Sequence, residues 1–323
     1  MNAELVEAGD LDELTRHIDR LSAAGDWDGL VDLRDRCRRA LERGKQLWPA
    51  ASHAEYRLAL EAPARWAGAV LVPGAGAFAL GPLPEVAAST HTWDSLAPYV
   101  PAGPPAAVTA HERVVRGEDL TGDDRVATGV LEVPLRLQPW EPAYPLAMYK
   151  ADEALFDDVP PPPMTALELP SPGAVVDDPD AVRALTDLAS AWTEGSNGRA
   201  AAVAVEGDAG AAIAALRPSG ARVAVVDLAH AVAVMASAGA SGGAHGRRRG
   251  MAAGRFGAWW ALAALAGLLD DWPPPPDELG AATARLRFVR WADPADPTGW
   301  SLRLAVEDPD DGLAWAVAAT DHA

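Results

Sequence analysis

The hydrophobic pattern of the chain changes across a proline-rich, acidic segment at residues 157–177. Helical spacing of apolar residues dominates before this segment, whereas short apolar and alternating runs dominate after it. The run Pro160–Pro163 favours an extended, semi-rigid stretch of backbone. We therefore predict a mainly helical domain at residues 1–156, a linker at 157–177 and an α/β domain at 178–323. The alternative is a surface loop that crosses one continuous domain.

The N-terminal segments have the spacing of amphipathic helices. One apolar stripe is formed by Leu11, Leu14, Ile18 and Leu21. Gly25 is placed to end one helix, and Asp10 and Asp26 are placed to cap the N–H groups that open the next ones. The Gly-Asp pair at residues 9–10 recurs at residues 25–26, and this repetition predicts a short helical array. The array lacks the pattern of a tetratricopeptide repeat, so no repeat family is assigned.

The C-terminal half alternates between strand-like and helical segments. Apolar runs at 201–205 and 222–226 flank a helical segment at 209–216, and this order predicts a parallel β-α-β unit. Later strands are predicted at 285–291, 300–306 and 313–318, with a turn at 308–312. The fold prediction is α/β overall, with the helical array in the N-terminal half and a mixed sheet in the C-terminal domain.

Composition and charge exclude several classes of protein. The 323 residues are 49% hydrophobic, which supplies enough apolar surface for folded cores and argues against wholesale disorder. The net charge of −19 argues against a nucleic-acid partner, because phosphate contacts need a basic face. The lone cysteine, Cys37, cannot form an internal disulfide and is predicted to be a small buried apolar residue.

Two segments bear on location in the cell. Glu4, Glu7 and Asp10 stand where a secretion signal would carry a basic region and an apolar run. The most apolar stretch, 257–269, has about 13 residues, whereas a membrane-spanning helix needs about 20. We therefore predict a cytoplasmic protein with no membrane partner.

One candidate group for chemistry lies at the ends of predicted strands. Glu206 and Asp227 follow two strands, and open α/β sheets bind ligands at the carboxyl ends of parallel strands. His230 lies three residues after Asp227, so the pair could supply a base with its orienting carboxylate, or metal ligands. The sequence contains no HExxH or paired CxxC motif, so no metal is assigned and no cofactor is named.

A glycine- and arginine-rich loop at residues 241–250 is the candidate ligand site. Glycines let backbone N–H groups approach a ligand, the start of the next helix offers further donors, and arginines match phosphate or carboxylate oxygens. The alternative is a solvated surface cluster that pairs with acidic residues. The residues assigned to binding of an anionic small molecule are Gly242, Gly243, His245, Arg247, Arg248, Arg249 and Arg255.

The chain is also rich in tryptophan, with 12 residues. Trp259 and Trp260 are adjacent on a predicted helix, so their side chains point in different directions and one can reach a second element or a partner. The favoured function is therefore a non-catalytic interaction or scaffold protein that binds another protein or a second copy of itself.

The alternative function is an enzyme or binder of a small phosphate- or carboxylate-bearing ligand. It would use the loop at 241–250 together with Glu206, Asp227 and His230. Convergence of these side chains in one pocket would favour this alternative, and their dispersal would favour the interaction protein.

Overall fold

The computed structural model describes residues 1–127, 129–296 and 298–322. The chain divides into two compact units. Unit 1 comprises Met1–Leu131 and Leu146–Phe156, and unit 2 comprises Glu132–Pro145 and Asp157–Ala323. Among the helices in these described ranges, none combines the length and the apolar character needed to cross a bilayer.

Unit 1 is a group of helices with one small hairpin. Its helices are α1 (Asn2–Ala8), α2 (Leu11–Ala24), α3 (Trp27–Arg39), α4 (Trp48–Glu61), α5 (Ala64–Ala69), α6 (Leu83–Thr90), α7 (Trp93–Leu96) and α8 (Pro104–Val114). A 3-10 turn at Ala40–Arg43 follows α3. The strands β1 (Ala147–Tyr149) and β2 (Ala154–Phe156) pair antiparallel. The apolar faces share one core that includes Leu14, Ile18, Leu30, Leu58, Val86 and Tyr149.

The predicted start and stop signals of the first helices are confirmed. The carboxylate of Asp10 accepts a hydrogen bond from the backbone N–H of Glu13, and that of Asp26 accepts one from Gly29, each at 3.0 Å. Gly25 follows α2 with a φ of 66°, a conformation that glycine adopts at low cost. Local chemistry therefore sets these helix boundaries.

Cys37 on α3 is 2% exposed, and burial raises the pKa of its thiol to about 11. The thiolate, which is the reactive form, is therefore scarce at neutral pH. We expect a thiol-specific chromogenic reagent to leave the native protein unlabelled and to label one cysteine after denaturation in guanidinium chloride. Fast labelling of the native protein would show that this part of unit 1 opens locally.

Unit 2 combines a sheet with helices on both faces. Its helices are α9 (Pro179–Asp187), α10 (Ser190–Gly195), α11 (Ala209–Ala215), α12 (Leu228–Ala240), α13 (Met251–Leu265) and α14 (Pro276–Thr283). Its strands are β3 (Thr165–Leu167), β4 (Arg199–Glu206), β5 (Ala221–Val226), β6 (Arg287–Ala292), β7 (Trp300–Asp308) and β8 (Leu313–Asp321).

The α/β class is confirmed, and the details of the sheet correct the prediction. The strand order is β3-β5-β6-β7-β8-β4, and each neighbouring pair among the described strands is antiparallel rather than mixed. β4 and β5 run in the same direction, as a β-α-β unit requires, but β6, β7 and β8 lie between them. The reason is that β8 folds back on β7 through the predicted turn, where Gly312 has a φ of 65°, and then pairs with β4 on its other side.

The helices of unit 2 form a layer on each face of the sheet. α11 covers one face, where Ile213, Val289 and Trp291 share a core. α9 and α12 contact the other face, and α13 packs on both of these helices. Gly254 of α13 permits this close packing, because a Cβ at that position would lie 2.0 Å from the carbonyl oxygen of Ala236 on α12.

The segment 157–177, predicted as a linker, lies in unit 2. Its residues Thr165–Leu167 form the edge strand β3, which pairs with β5. Val175 forms an isolated antiparallel bridge to Val205 of β4. Prolines before β3 and between these two pairings limit further extension of the strands, because proline cannot donate to a ladder. The segment therefore borders the sheet at both edges.

Candidate functional site

The predicted catalytic carboxylates lie far apart. Glu206 ends β4, and Asp227 directly follows β5. Both stand at the same end of the strands, but four strand spacings separate β4 from β5 in the observed order. At about 4.8 Å for each spacing, the separation is roughly 19 Å. The structure therefore does not bring Glu206 and Asp227 into one site.

Asp227 and His230 are close, but they do not form the expected base with an orienting carboxylate. Asp227 accepts a hydrogen bond from the backbone N–H of His230 at 2.7 Å, which caps α12. The ring Nε2 of His230 instead lies 3.3 Å from Nη1 of Arg290. Burial, followed by the charge of Arg290, lowers the pKa of His230. The neutral ring thus accepts from a cation, which leaves Nε2 poorly placed to act as a base.

The backbone donors of the glycine-rich loop bind side chains of the chain itself. The N–H of Ala244 donates to Oδ2 of Asp321 at 2.6 Å, and that of His245 donates to the hydroxyl of Ser196 at 3.0 Å. Gly243 has a φ of 70°, and a Cβ there would lie 2.1 Å from Oδ2 of Asp321. Gly243 and Ala244 therefore lie against an internal carboxylate, while Gly242 packs on the backbone of Gly246 and Arg247 within the loop.

Asp321 is the anion that this loop holds. Burial raises the pKa of its carboxyl group, but the hydrogen bonds from Ala244 and Ser196 outweigh burial and lower the pKa below its usual range. The carboxylate is thus charged at neutral pH and fixes the end of β8 to the loop. The sequence prediction assigned this loop to an anionic small molecule, whereas the structure places a carboxylate of the chain itself, Asp321, against its backbone.

The three consecutive arginines lie at the C-terminal end of the loop, just before α13. Arg247 and Arg249 are exposed and Arg248 is half-buried. Nη1 of Arg249 donates to the hydroxyl of Ser190 at 3.0 Å, and Arg249 lines a groove on the surface of unit 2. Met251, the first residue of α13, is 2% exposed, so the start of this helix is covered by protein.

Arg255 lies in the interior rather than in a ligand site. Its guanidinium is fully buried, and its Nε and Nη2 bind the two carboxylate oxygens of Glu141 at 2.7 and 2.8 Å. Nη1 donates to the carbonyl of Pro134 at 2.8 Å, and the indole N–H of Trp259 also donates to Glu141. Burial raises the pKa of Glu141, but the hydrogen bonds and charge of Arg255 lower it by more, so the pKa lies below its usual range. Arg255 therefore anchors residues 132–145 on α13.

The surface of unit 2 contains a groove of about 830 Å³ between two helical faces. Each face follows the helical spacing of i, i+3, i+4 and i+7. On α9 it consists of Asp180, Arg183, Ala184 and Asp187, and on α13 it consists of Ala253, Phe256, Gly257 and Trp260. Ser190, Ala191 and Glu194 continue the first wall along α10.

Aromatic rings and carboxylates line this groove together. The rings of Phe256 and Trp260 stack with centroids 6.4 Å apart, and Trp272 meets Trp260 edge-on at 4.8 Å. The α9–α10 wall contributes the exposed carboxylates of Asp187 and Glu194. Aromatic faces and carboxylates both attract cations. Trp259 points inward and packs on Trp140, so the adjacent tryptophans divide between core and groove, as the sequence indicated.

A second, smaller recess of about 400 Å³ is lined by acidic residues, including Asp178, Asp270 and Asp308. Oxygens of two of these residues serve the fold: Asp178 accepts from the indole N–H of Trp315 at 2.8 Å, and Asp308 accepts from the backbone of the β7–β8 turn. Within the described residues, no three His, Cys, Asp or Glu side chains are grouped so as to hold a metal ion.

Comparison with known proteins identifies a family but not an activity. No curated protein and no solved structure matches the chain. A family model, described as a family of unknown function, matches residues 12–323. The chain therefore belongs to the DUF6183 family.

Proposed function

We propose that this protein is a non-catalytic interaction protein whose groove in unit 2 binds a basic segment of a partner protein. The observation that carries the proposal is that the stacked pair Phe256–Trp260 and the carboxylates of Asp187 and Glu194 line the same groove. A lysine or arginine side chain placed there would meet a ring face and a negative charge together. A groove whose walls span two turns of α9 and of α13 also suits an extended or helical segment better than a compact metabolite.

The charge of the whole chain supports a basic partner. A net charge of −19 produces a field that speeds the approach of a positively charged segment. Arg183 and Arg249 also line the groove, and Arg183 lies 3.6 Å from Asp187, so a basic side chain of the partner would compete with Arg183 for that carboxylate. Glu206 and Asp227 lie at the ends of two strands that are far apart in the sheet, and this separation supports a binding role over catalysis.

A binding experiment with charge-removing variants tests this function. We expect a lysine- and arginine-rich peptide to quench tryptophan fluorescence on binding, and Asp187→Asn combined with Glu194→Gln to weaken its affinity by roughly tenfold, because two cation contacts are lost. Asp277→Asn with Glu278→Gln is the matched control. It removes two exposed carboxylates of α14, outside the groove, and should leave the affinity within about twofold.

Two further ligands separate the proposal from its alternative. An acidic peptide of equal length and inorganic phosphate are titrated in the same way. Binding of phosphate that is lost in Arg249→Ala would support the small-anion alternative instead. Equal binding of the basic peptide by the wild type and by the groove variant would rule out this groove as its site.

A further inference from the structure

Four consecutive prolines, Pro160–Pro163, form a short bridge that is held at both of its ends. Just before the run, the carbonyl of Val159 accepts a hydrogen bond from Nη1 of Arg290 at 2.7 Å. Just after it, the carbonyl of Met164 accepts one from Nη2 of Arg222 at 2.8 Å. The two arginines lie on the neighbouring strands β5 and β6, and they share a face of the sheet. The proline run is therefore fixed to a rigid support.

The conformation of this run follows from its covalent structure. Proline fixes φ near −65°, and a proline that precedes another proline is driven to an extended ψ, so the run adopts the polyproline II helix. With three residues per turn, Pro160 and Pro163 share one edge, while Pro161 and Pro162 occupy the other two. Pro162 is half-buried and the other three are exposed. Pro162 thus faces the protein, and two edges of the helix face solvent.

We propose that Pro160–Pro163 is a docking ligand for a protein domain with an aromatic-lined groove that recognises polyproline II helices. Two edges of the proline helix pack between aromatic rings of such a domain, and Trp N–H or Tyr O–H groups of the domain donate hydrogen bonds to the carbonyls of the helix. A run of prolines offers carbonyl acceptors without competing N–H donors. This surface is separate from the α9–α13 groove, so the inference does not depend on the function proposed for that groove.

The fixed ends increase the expected affinity. A free peptide loses backbone freedom when it binds, whereas this segment is already extended and tethered before the partner arrives. The exposed carboxylates of Asp157 and Asp158 lie on the N-terminal side of the run and are separated from it by Val159. They select for a partner that carries a basic residue at one end of its groove.

The second proline run, Pro273–Pro276, packs within the fold and serves as a comparison for the first run. Trp272, which precedes it, packs against Phe256 and Trp260, and Pro274 is buried. The carbonyl of Pro276 accepts from the indole N–H of Trp140 at 3.2 Å, and α14 starts at this residue. This run contributes to the packing of unit 2, and its exposed Pro275 provides a matched control.

The test uses the full chain and a panel of purified WW domains and other polyproline-binding domains, with affinities measured by calorimetry. We expect at least one domain to bind in the micromolar range, and Pro160→Ala with Pro163→Ala to weaken that binding at least tenfold. Pro275→Ala should leave it unchanged. Arg222→Ala, which frees one end, and a peptide of residues 157–165 should each bind several-fold more weakly than the intact protein.

Three results would overturn the proposal. The first is that no domain of the panel binds the wild type. The second is equal binding by the wild type and by Pro160→Ala with Pro163→Ala. The third is that this variant self-associates in sedimentation while domain binding is unaffected, which would mean that the prolines only shield the sheet edge beside β3.

Discussion

Arg255→Met is expected to lower the free energy of unfolding of unit 2 by about 3–5 kcal/mol. The substitution leaves the carboxylate of Glu141 buried without its counter-charge, because both side chains are fully buried in the native protein. It also removes the donor to the carbonyl of Pro134, while the carbonyl of Arg136 keeps the donor Nε2 of Gln138. Urea denaturation followed by circular dichroism measures the change. The loss should be smaller at mildly acidic pH, where Glu141 of the variant can take up a proton.

The sign of this pH dependence follows from the native pair. With Arg255 present, the pKa of Glu141 is held below its usual range, so the pair stabilises the fold above the unfolded pKa and loses this effect as the pH falls through the folded value. Without Arg255 only burial and neutral hydrogen bonds act, and the pKa of Glu141 rises. The variant therefore gains relative to the wild type as the pH falls.

The matched control is Arg183→Met, which removes an arginine that is 82% exposed and lies 3.6 Å from Asp187. We expect a change within about 0.5 kcal/mol, because exposed pairs contribute little. Arg255→Met combined with Glu141→Leu should recover part of the stability, since no charge then remains buried. A loss in Arg255→Met no larger than in the control would contradict the buried-pair account.

Gly254→Ala is expected to destabilise unit 2 by about 3 kcal/mol, the upper end of the range for overpacked cores. The added Cβ would lie 2.0 Å from the carbonyl oxygen of Ala236 and 2.9 Å from the backbone nitrogen of Ala240. Backbone atoms cannot rotate away as a side chain can, so α12 and α13 must separate. The higher helix propensity of alanine, worth about 1 kcal/mol, does not offset this. Thermal unfolding with a shift of several degrees is the readout.

Gly257→Ala, three residues further along α13, separates the clash from the general effect of the substitution. Its added Cβ would have Leu188 Cδ2 as nearest atom at 3.4 Å, which is an ordinary contact with a flexible side chain. We expect this variant to match or exceed the wild type in stability. Equal destabilisation of the two variants would show that helix separation is not the cause.

Features that depend on neighbouring residues could be predicted from the sequence. The caps at Asp10 and Asp26 and the turn after Asp308 each use groups a few residues apart. The order of strands could not be predicted in the same way. Alternation identified β4, α11 and β5, but their separation depends on β8, which pairs with β7 and with β4 at once.

The candidate site shows the same division between local and distant determinants. The glycines of the loop were assigned to a small anionic ligand, but the loop contacts Asp321, which comes from the far end of the domain. Arg255 followed an arginine-rich loop and was therefore assigned to the same ligand site. Its partner Glu141 lies in a segment without helical or strand spacing, so no local signal marked the pair. The residues of α9 and of α13 that line the groove each have helical spacing in the sequence. That these two helices pack side by side could not be predicted from that spacing.

The position of β8 in the sheet has a consequence for synthesis of the chain. β4 leaves the ribosome early, yet its ladder runs from Arg199 paired with Thr320 to Glu206 paired with Leu313. Translation must therefore proceed almost through the whole of unit 2 before β4 can gain the ladder that joins it to the other strands. Such distant pairings slow folding and leave strand edges open meanwhile. Nascent chains stalled before β8 should therefore recruit chaperones that bind extended apolar segments.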